Sequence, residues 1–117
     1  MAAPLTTEER SELARVQAPK EFKHRYYFEA VMSCGGCSGA IDRVLKKLGE
    51  KEKTETNDFY HEVSLEHQSA HVFADETELE KVFEVIEKTK KKLTKAKEVD
   101  AQGNVVREIK LEDGKRV

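Results

Sequence analysis

The two cysteines of the chain, Cys34 and Cys37, stand three positions apart around Gly35 and Gly36, in the stretch "VMSCGGCSGAIDRVL". Two thiols at that spacing can hold a metal, exchange a disulfide or staple a loop. The apolar residues before the pair suit a strand and the pattern after it suits a helix. Cys34 is therefore expected in the loop between them and Cys37 at the start of the helix. Gly35 and Gly36 let the backbone curl until both sulfurs face one spot. A helix N-terminus offers unpaired N–H groups and a partial positive charge, which favour thiolate over thiol. The pair is predisposed to be anionic near neutral pH.

Three chemistries compete for it. Structural zinc wants four ligands, and His24, His61, His67 and His71 fall on or near strands away from the thiol loop, where they read as surface or strand residues. The alternative function is that of a thiol–disulfide oxidoreductase, which also uses CxxC between a strand and a helix. Folds that resemble thioredoxin place a cis-proline opposite the thiols, whereas this chain has no proline after Pro19 and no tryptophan. The third chemistry is a soft ion in an open site. Two thiolates suit Cu(I), which is content with two or three sulfur ligands. The resulting unit carries one net negative charge, which the helix dipole and a nearby lysine would offset.

At 117 residues the chain is one domain with appendages. With 38% charged residues and a mean hydropathy of −0.72 it reads as soluble, and no apolar run approaches the roughly 20 residues of a membrane span. Its start, "MAAPLTTEER", carries neither a basic nor an apolar leader pattern. The expectation is a cytoplasmic protein without membrane insertion, in a compartment where a close thiol pair serves metal binding or catalysis. A net charge of −2 offers no global basic field for nucleic acid. Locally, "IEKTKKKLTKAK" at 86–97 gathers six lysines against one glutamate.

The elements that must position the thiols follow from periodicity. Residues 1–21 form an N-terminal extension, in which Thr6 and Glu9 make a capping box and Leu13 and Val16 share a face. A short peripheral helix and a disordered arm are both compatible with it. In "FKHRYYFEAVM", Tyr26, Phe28, Ala30 and Met32 alternate onto one face as core, with Arg25, Tyr27 and Glu29 opposite, the pattern of a half-buried strand. Ile41, Val44, Leu45 and Leu48 then mark an amphipathic helix closed by Gly49. "FYHEVSL" and "SAHVFA" form a hairpin around "EHQ". Asp75 with Glu78 gives a second capping box, before a helix marked by Leu79, Val82, Phe83 and Ile86. "KLTKAKEV" is a last strand, and the turn signal Gly103-Asn104 favours an extra hairpin over a frayed tail. The order predicts an α+β fold: a four-stranded antiparallel sheet with both helices on one face, the split βαβ arrangement.

"VMSCGGCSGAIDRVLKKL" resembles the MxCxxC loop and first helix of the heavy-metal-associated domain, specifically of the small cytosolic copper metallochaperones of eukaryotes. The likeness continues through "HEVSLEHQSAHVF" and "LEKVFEVIEKTKKKL", covering roughly residues 24 to 97. It implies a ferredoxin-like βαββαβ sandwich over 22–99, with 1–21 and 100–117 as terminal extensions. It also implies a carrier rather than an enzyme, bringing Cu(I) to the metal-binding domain of a copper-transporting P-type ATPase. Residue by residue, Cys34 and Cys37 match the metal ligands, supported by Gly35 and Gly36. Met32 matches the methionine that packs under the loop. The family's frequent "KTGK" is here "KTKK", so Lys91 takes the place of its final lysine and Lys90 that of its glycine. Arg43, Lys46, Lys47, Lys88, Lys91 and Lys92 flank the loop as a basic face for an acidic partner. Whether Cu(I) bridges two copies of the chain stays open.

Overall fold

The alternation of Tyr26, Phe28 and Ala30 and the helical spacing of Ile41, Leu45 and Leu48 both end in one apolar core. The structure, a computed structural model, describes residues 5–33, 35–100, 102–112 and 115–116. Helix α1 (Thr7–Arg15) precedes β1 (His24–Ala30), α2 (Gly35–Glu52), β2 (Phe59–Ser64), β3 (Ser69–Ala74), α3 (Leu79–Glu87), β4 (Leu93–Val99) and β5 (Val105–Glu108). A small β6–β7 pair (Leu111–Glu112 with Lys115–Arg116) ends the described chain.

The class is α+β, and the order of elements from β1 to β4 is the predicted one. The predicted four-stranded sheet is instead five-stranded, in the order β2-β3-β1-β4-β5 with every pair antiparallel. The fifth strand comes from the chain beyond Val99. Asp100 accepts hydrogen bonds from Gln102 N and Asn104 N at 3.0 and 2.8 Å, and Gly103 sits at φ +81°. That left-handed turn, cheap only for glycine, sends β5 back along β4. Ile109 then enters the main core, with Leu111 packed against it. Burial of these two residues ties down the C-terminal segment.

Helices α2 and α3 lie on one face of the sheet. Ile41, Leu45 and Leu48 of α2 and Leu79, Val82, Phe83 and Ile86 of α3 pack with Tyr26, Phe28, Ala70, Val72, Leu93 and Ala96. Two expected helix boundaries differ. Gly49 does not close α2, which continues to Glu52. Its role is close approach: a Cβ there would lie 2.7 Å from Cδ1 of the Phe59 ring. Nor do Asp75 and Glu78 form a capping box, since Glu78 is the N-cap of α3 and makes no side-chain cap bond. Asp75 instead accepts from Lys23 N and Asp58 N, bridging the strand ends. The buried Asn57 holds the same corner. It donates to Glu52 O and Thr77 Oγ1 and accepts from Asp75 N and Glu76 N, at 2.7–3.1 Å, so every hydrogen-bonding site of its amide is used.

The other face of the sheet is not solvent. The capping box of Thr6 and Glu9 is present, and the helix it starts lies across β1, β3 and β4. Tyr27, expected on the exposed side of β1, is buried there with Leu5, Leu13 and Val99. Period two assigns Tyr27 to the face opposite Phe28, and α1 covers that face.

Candidate metal site

The thiol loop is built where β1 runs out. Val31, Met32 and Ser33 leave the strand, Cys34 lies outside the described residues, and α2 begins at Gly35. Met32 is 4% exposed and packs into the core beside Cys37, itself 9% exposed. Inward parity continues past the end of β1, so the methionine forms the floor of the loop. Cys37 sits in the first turn of α2, where N–H groups have no intrahelical partner. Ser33 Oγ lies 3.6 Å from Cys37 Sγ, within reach of a hydrogen bond to sulfur. Ser38 Oγ donates back to Gly35 O at 3.0 Å, tightening the turn. Gly35 faces open space, with nothing within 4 Å of an added Cβ, and both Gly35 and Gly36 are exposed.

Two neighbouring segments pin the approach to the loop. On one side Val31 N donates to Lys92 O at 2.8 Å. On the other, Gln68 in the β2–β3 turn accepts from Met32 N at 2.6 Å and donates to Met32 O at 2.7 Å. Sequence reading did not single out Gln68. It is the last residue of the expected "EHQ" turn, and no spacing rule marks a glutamine that reaches another loop.

The basic residues fall in two groups. Arg43 and Lys47 of α2 line a shallow groove of about 240 Å³ with Ala40, Val44 and Thr89, so the α3–β4 turn and one flank of α2 share a surface. Lys46 is exposed elsewhere on α2. Lys88 and Lys92 are exposed and Lys91 is half-buried. The segment is joined to the loop through the Lys92 carbonyl. Lys90 stands at φ +66°, so the position where the resemblance has glycine keeps a left-handed backbone although it carries a side chain. Val31 projects beside the loop and is 53% exposed.

The four histidines face carboxylates. His24 Nδ1 lies 2.6 Å from Glu98, His61 Nε2 2.9 Å from Asp42, His67 Nδ1 3.4 Å from Glu12 and His71 Nε2 3.1 Å from Glu12. Among the described residues no three His, Cys, Asp or Glu side chains converge as a metal site.

This small α+β domain sets the buried Cys37 thiol in the first turn of a helix, in one core with a buried methionine, and joins a lysine-bearing turn to the loop before it. No family model matches the chain. Over 71 residues, 61% of this chain and 85% of the relative, it is 38% identical to the metal homeostasis factor atx1 of Schizosaccharomyces pombe. The chain belongs to the heavy-metal-associated family, among its small metallochaperones of metal homeostasis.

Proposed function

We propose that the protein is a copper metallochaperone that binds one Cu(I) through Cys34 and Cys37 and passes it to the metal-binding domain of a copper-transporting P-type ATPase. The observation that carries this reading is the 38% identity to a metal homeostasis factor. Support comes from the chemistry of the pair, because two thiolates select a soft monovalent ion over hard ones. In this reading β1 to β4 with α2 and α3 form the ferredoxin-like domain over 22–99. The segments 1–21 and 100–117 are its extensions, and the protein works in the cytoplasm as a carrier rather than an enzyme.

Handover proceeds by exchange of ligands. A cysteine of the partner loses its proton and its sulfur joins the two-coordinate ion, giving three sulfurs on Cu(I). One of the chain's own cysteines then leaves and takes up a proton. The copper stays Cu(I), so no reductant is consumed, and it is never free. Gly35 and Gly36 leave room for the incoming sulfur, and Met32 supports the loop from below. Lys91 offsets the negative charge of the bis-thiolate. Arg43, Lys46, Lys47, Lys88, Lys91 and Lys92 steer an acidic domain, an effect that fades as salt screens it. Two copies bridged by one Cu(I) would use the same three-sulfur geometry.

Anaerobic titration with Cu(I) against a competing chelator tests this. One ion per chain is expected, with Cys34→Ser and Cys37→Ser each weakening binding severely. Tight stoichiometric binding by the double serine variant would remove the cysteines as ligands.

A further inference from the structure

Gln68 is held where side chains are rarely found. Its φ is +54°, a left-handed conformation that costs a non-glycine residue free energy and persists where something over-determines it. Here the determinant is a set of contacts to the segment before Cys34. The backbone carbonyl of Gln68 accepts from Ala30 N at 3.1 Å, and its own N donates to Leu65 O at 3.3 Å. Its side-chain Oε1 accepts from Met32 N at 2.6 Å, and its Nε2 donates to Met32 O and Leu65 O, each at 2.7 Å. The β1–β3 ladder ends at Glu29 and Ser69. Beyond it, the primary amide of Gln68 does for Met32 what a neighbouring strand would do, satisfying both its N–H and its carbonyl.

We infer that Gln68 is a positioning residue for metal capture, fixing the backbone two positions before Cys34 so that its sulfur meets that of Cys37 at one ion. The inference rests on the Cu(I) reading above. Cys37 is held by α2 and is buried in the same core as Met32, and the chain that leads to Cys34 runs through Val31, Met32 and Ser33. Val31 is tied by a backbone bond to Lys92 O, and Met32 is tied by a side chain alone. Each backbone residue ordered before binding removes a cost that the metal–sulfur bonds would otherwise meet. Replacing Gln68 therefore acts on affinity through the loop, without touching a ligand.

The discriminating variant is Gln68→Gly, because glycine accepts φ +54° without strain and removes the clamp while the turn keeps its shape. In the metal-free protein the Met32 amide is expected to exchange with solvent about tenfold faster or more, since its one acceptor is gone. Cu(I) affinity, measured by chelator competition, should fall about tenfold while the melting temperature falls by only a few degrees, relief of the left-handed φ offsetting part of the lost hydrogen bonds. Gln68→Glu keeps the size and the acceptor but turns a carboxylate oxygen toward Met32 O and Leu65 O. Its Cu(I) affinity at pH 7.5 should fall as well, because both carbonyls lose their donor, and an affinity equal to the parent's would overturn the inference. Unchanged Met32 exchange in the glycine variant would overturn the inference, as would faster exchange with an affinity within about twofold of the parent. A parent that bound no Cu(I), with Met32 still protected, would overturn the copper reading instead. The clamp would then be judged by the rates at which Cys34 and Cys37 react with a thiol reagent, and equal rates in parent and glycine variant would overturn it.

Discussion

Tyr27 and Phe28 are neighbours on β1 and both are buried, Tyr27 at 1% exposure and Phe28 at 0%, yet they belong to two differently built interiors. Phe28 lies in an apolar core between the sheet and the α2–α3 layer, with Ile41, Leu45, Val82 and Phe83. Tyr27 lies under α1 with a few apolar residues and a dense set of ion pairs. Glu9 there accepts from Lys97 at 2.9 Å and from Lys95 at 2.8 Å. Glu12 accepts from Ser69 and His71 at 2.9 and 3.1 Å and pairs with Arg15. The Tyr27 hydroxyl donates to Glu29. Arg25 donates to Leu13 O and Val16 O at 2.6 and 3.1 Å, closing the C-terminal end of α1. The face that carries the thiol loop is held by non-directional burial, which pH and salt hardly alter. The face that carries the N-terminal extension is held by groups whose partners must all be present and correctly protonated. Acid or mutation should therefore loosen the α1 face first and leave the α2–α3 face folded.

The largest expected effect lies on the apolar side. Phe28→Ala should cost about 3–5 kcal/mol of unfolding free energy, read from urea denaturation, because it empties the centre of the core. A loss no larger than that of the polar-side variants below would break the comparison.

Acid should act mainly on the other face. Burial holds the imidazole of His71 down at about 4 from its usual 6.5, against the opposing pull of Glu12. The folded state therefore excludes a proton that the unfolded state takes up between pH 6.5 and 4, so stability falls as pH drops through that window. The full shift corresponds to about 3 kcal/mol. Burial pushes the carboxyls of Glu9 and Glu12 up. For Glu9 the bonds from Lys95, Thr6 N and Lys97 outweigh it, for Glu12 those from Arg15, His71 and Ser69, leaving each at about 2. Their contribution is present above the usual 4.5 and is lost as pH falls toward 2. Chemical denaturation between pH 8 and 3 should show both phases. His71→Gln should flatten the upper one, and an unaltered profile in that variant would remove His71 from the account.

Glu12→Gln is expected to cost about 1–2 kcal/mol, since one acceptor shared by Ser69, His71 and Arg15 becomes neutral. Hydrogen exchange should rise more in α1 than in β1. Equal rises would mean that the two faces unfold as one.

The smallest effect belongs to neither face. Lys90→Gly should stabilise the protein by about 0.5 kcal/mol. Relief of the left-handed φ slightly exceeds the entropy that glycine adds to the unfolded chain. Thermal unfolding of the pair of proteins measures it, and a lower melting temperature for the glycine variant would show that the Lys90 side chain contributes contacts of its own.

Period and punctuation determined the order of strands and helices from β1 to β4, the inward parity of Tyr26, Phe28 and Met32, the capping box at Thr6, and the turn at Gly103. Each is a local consequence of side-chain spacing or backbone freedom, and it reads the same whatever the chain later packs against. The place of Cys37 at the start of a helix was legible for the same reason. Tertiary structure alone decided what has no local signature. A helix of low hydropathy found a face of the sheet because Glu9 and Glu12 meet Lys97 and His71 across 88 and 59 positions of sequence. Gly49 proved to be a contact for Phe59 rather than a helix end, and Asp75 a strand-end bridge rather than a cap. Gln68 came to bond both backbone groups of Met32, before the thiol loop, because antiparallel pairing brings the β2–β3 turn to the end of β1. Such contacts depend on which polar groups burial leaves needing a partner, and that need exists only once the chain has closed on itself.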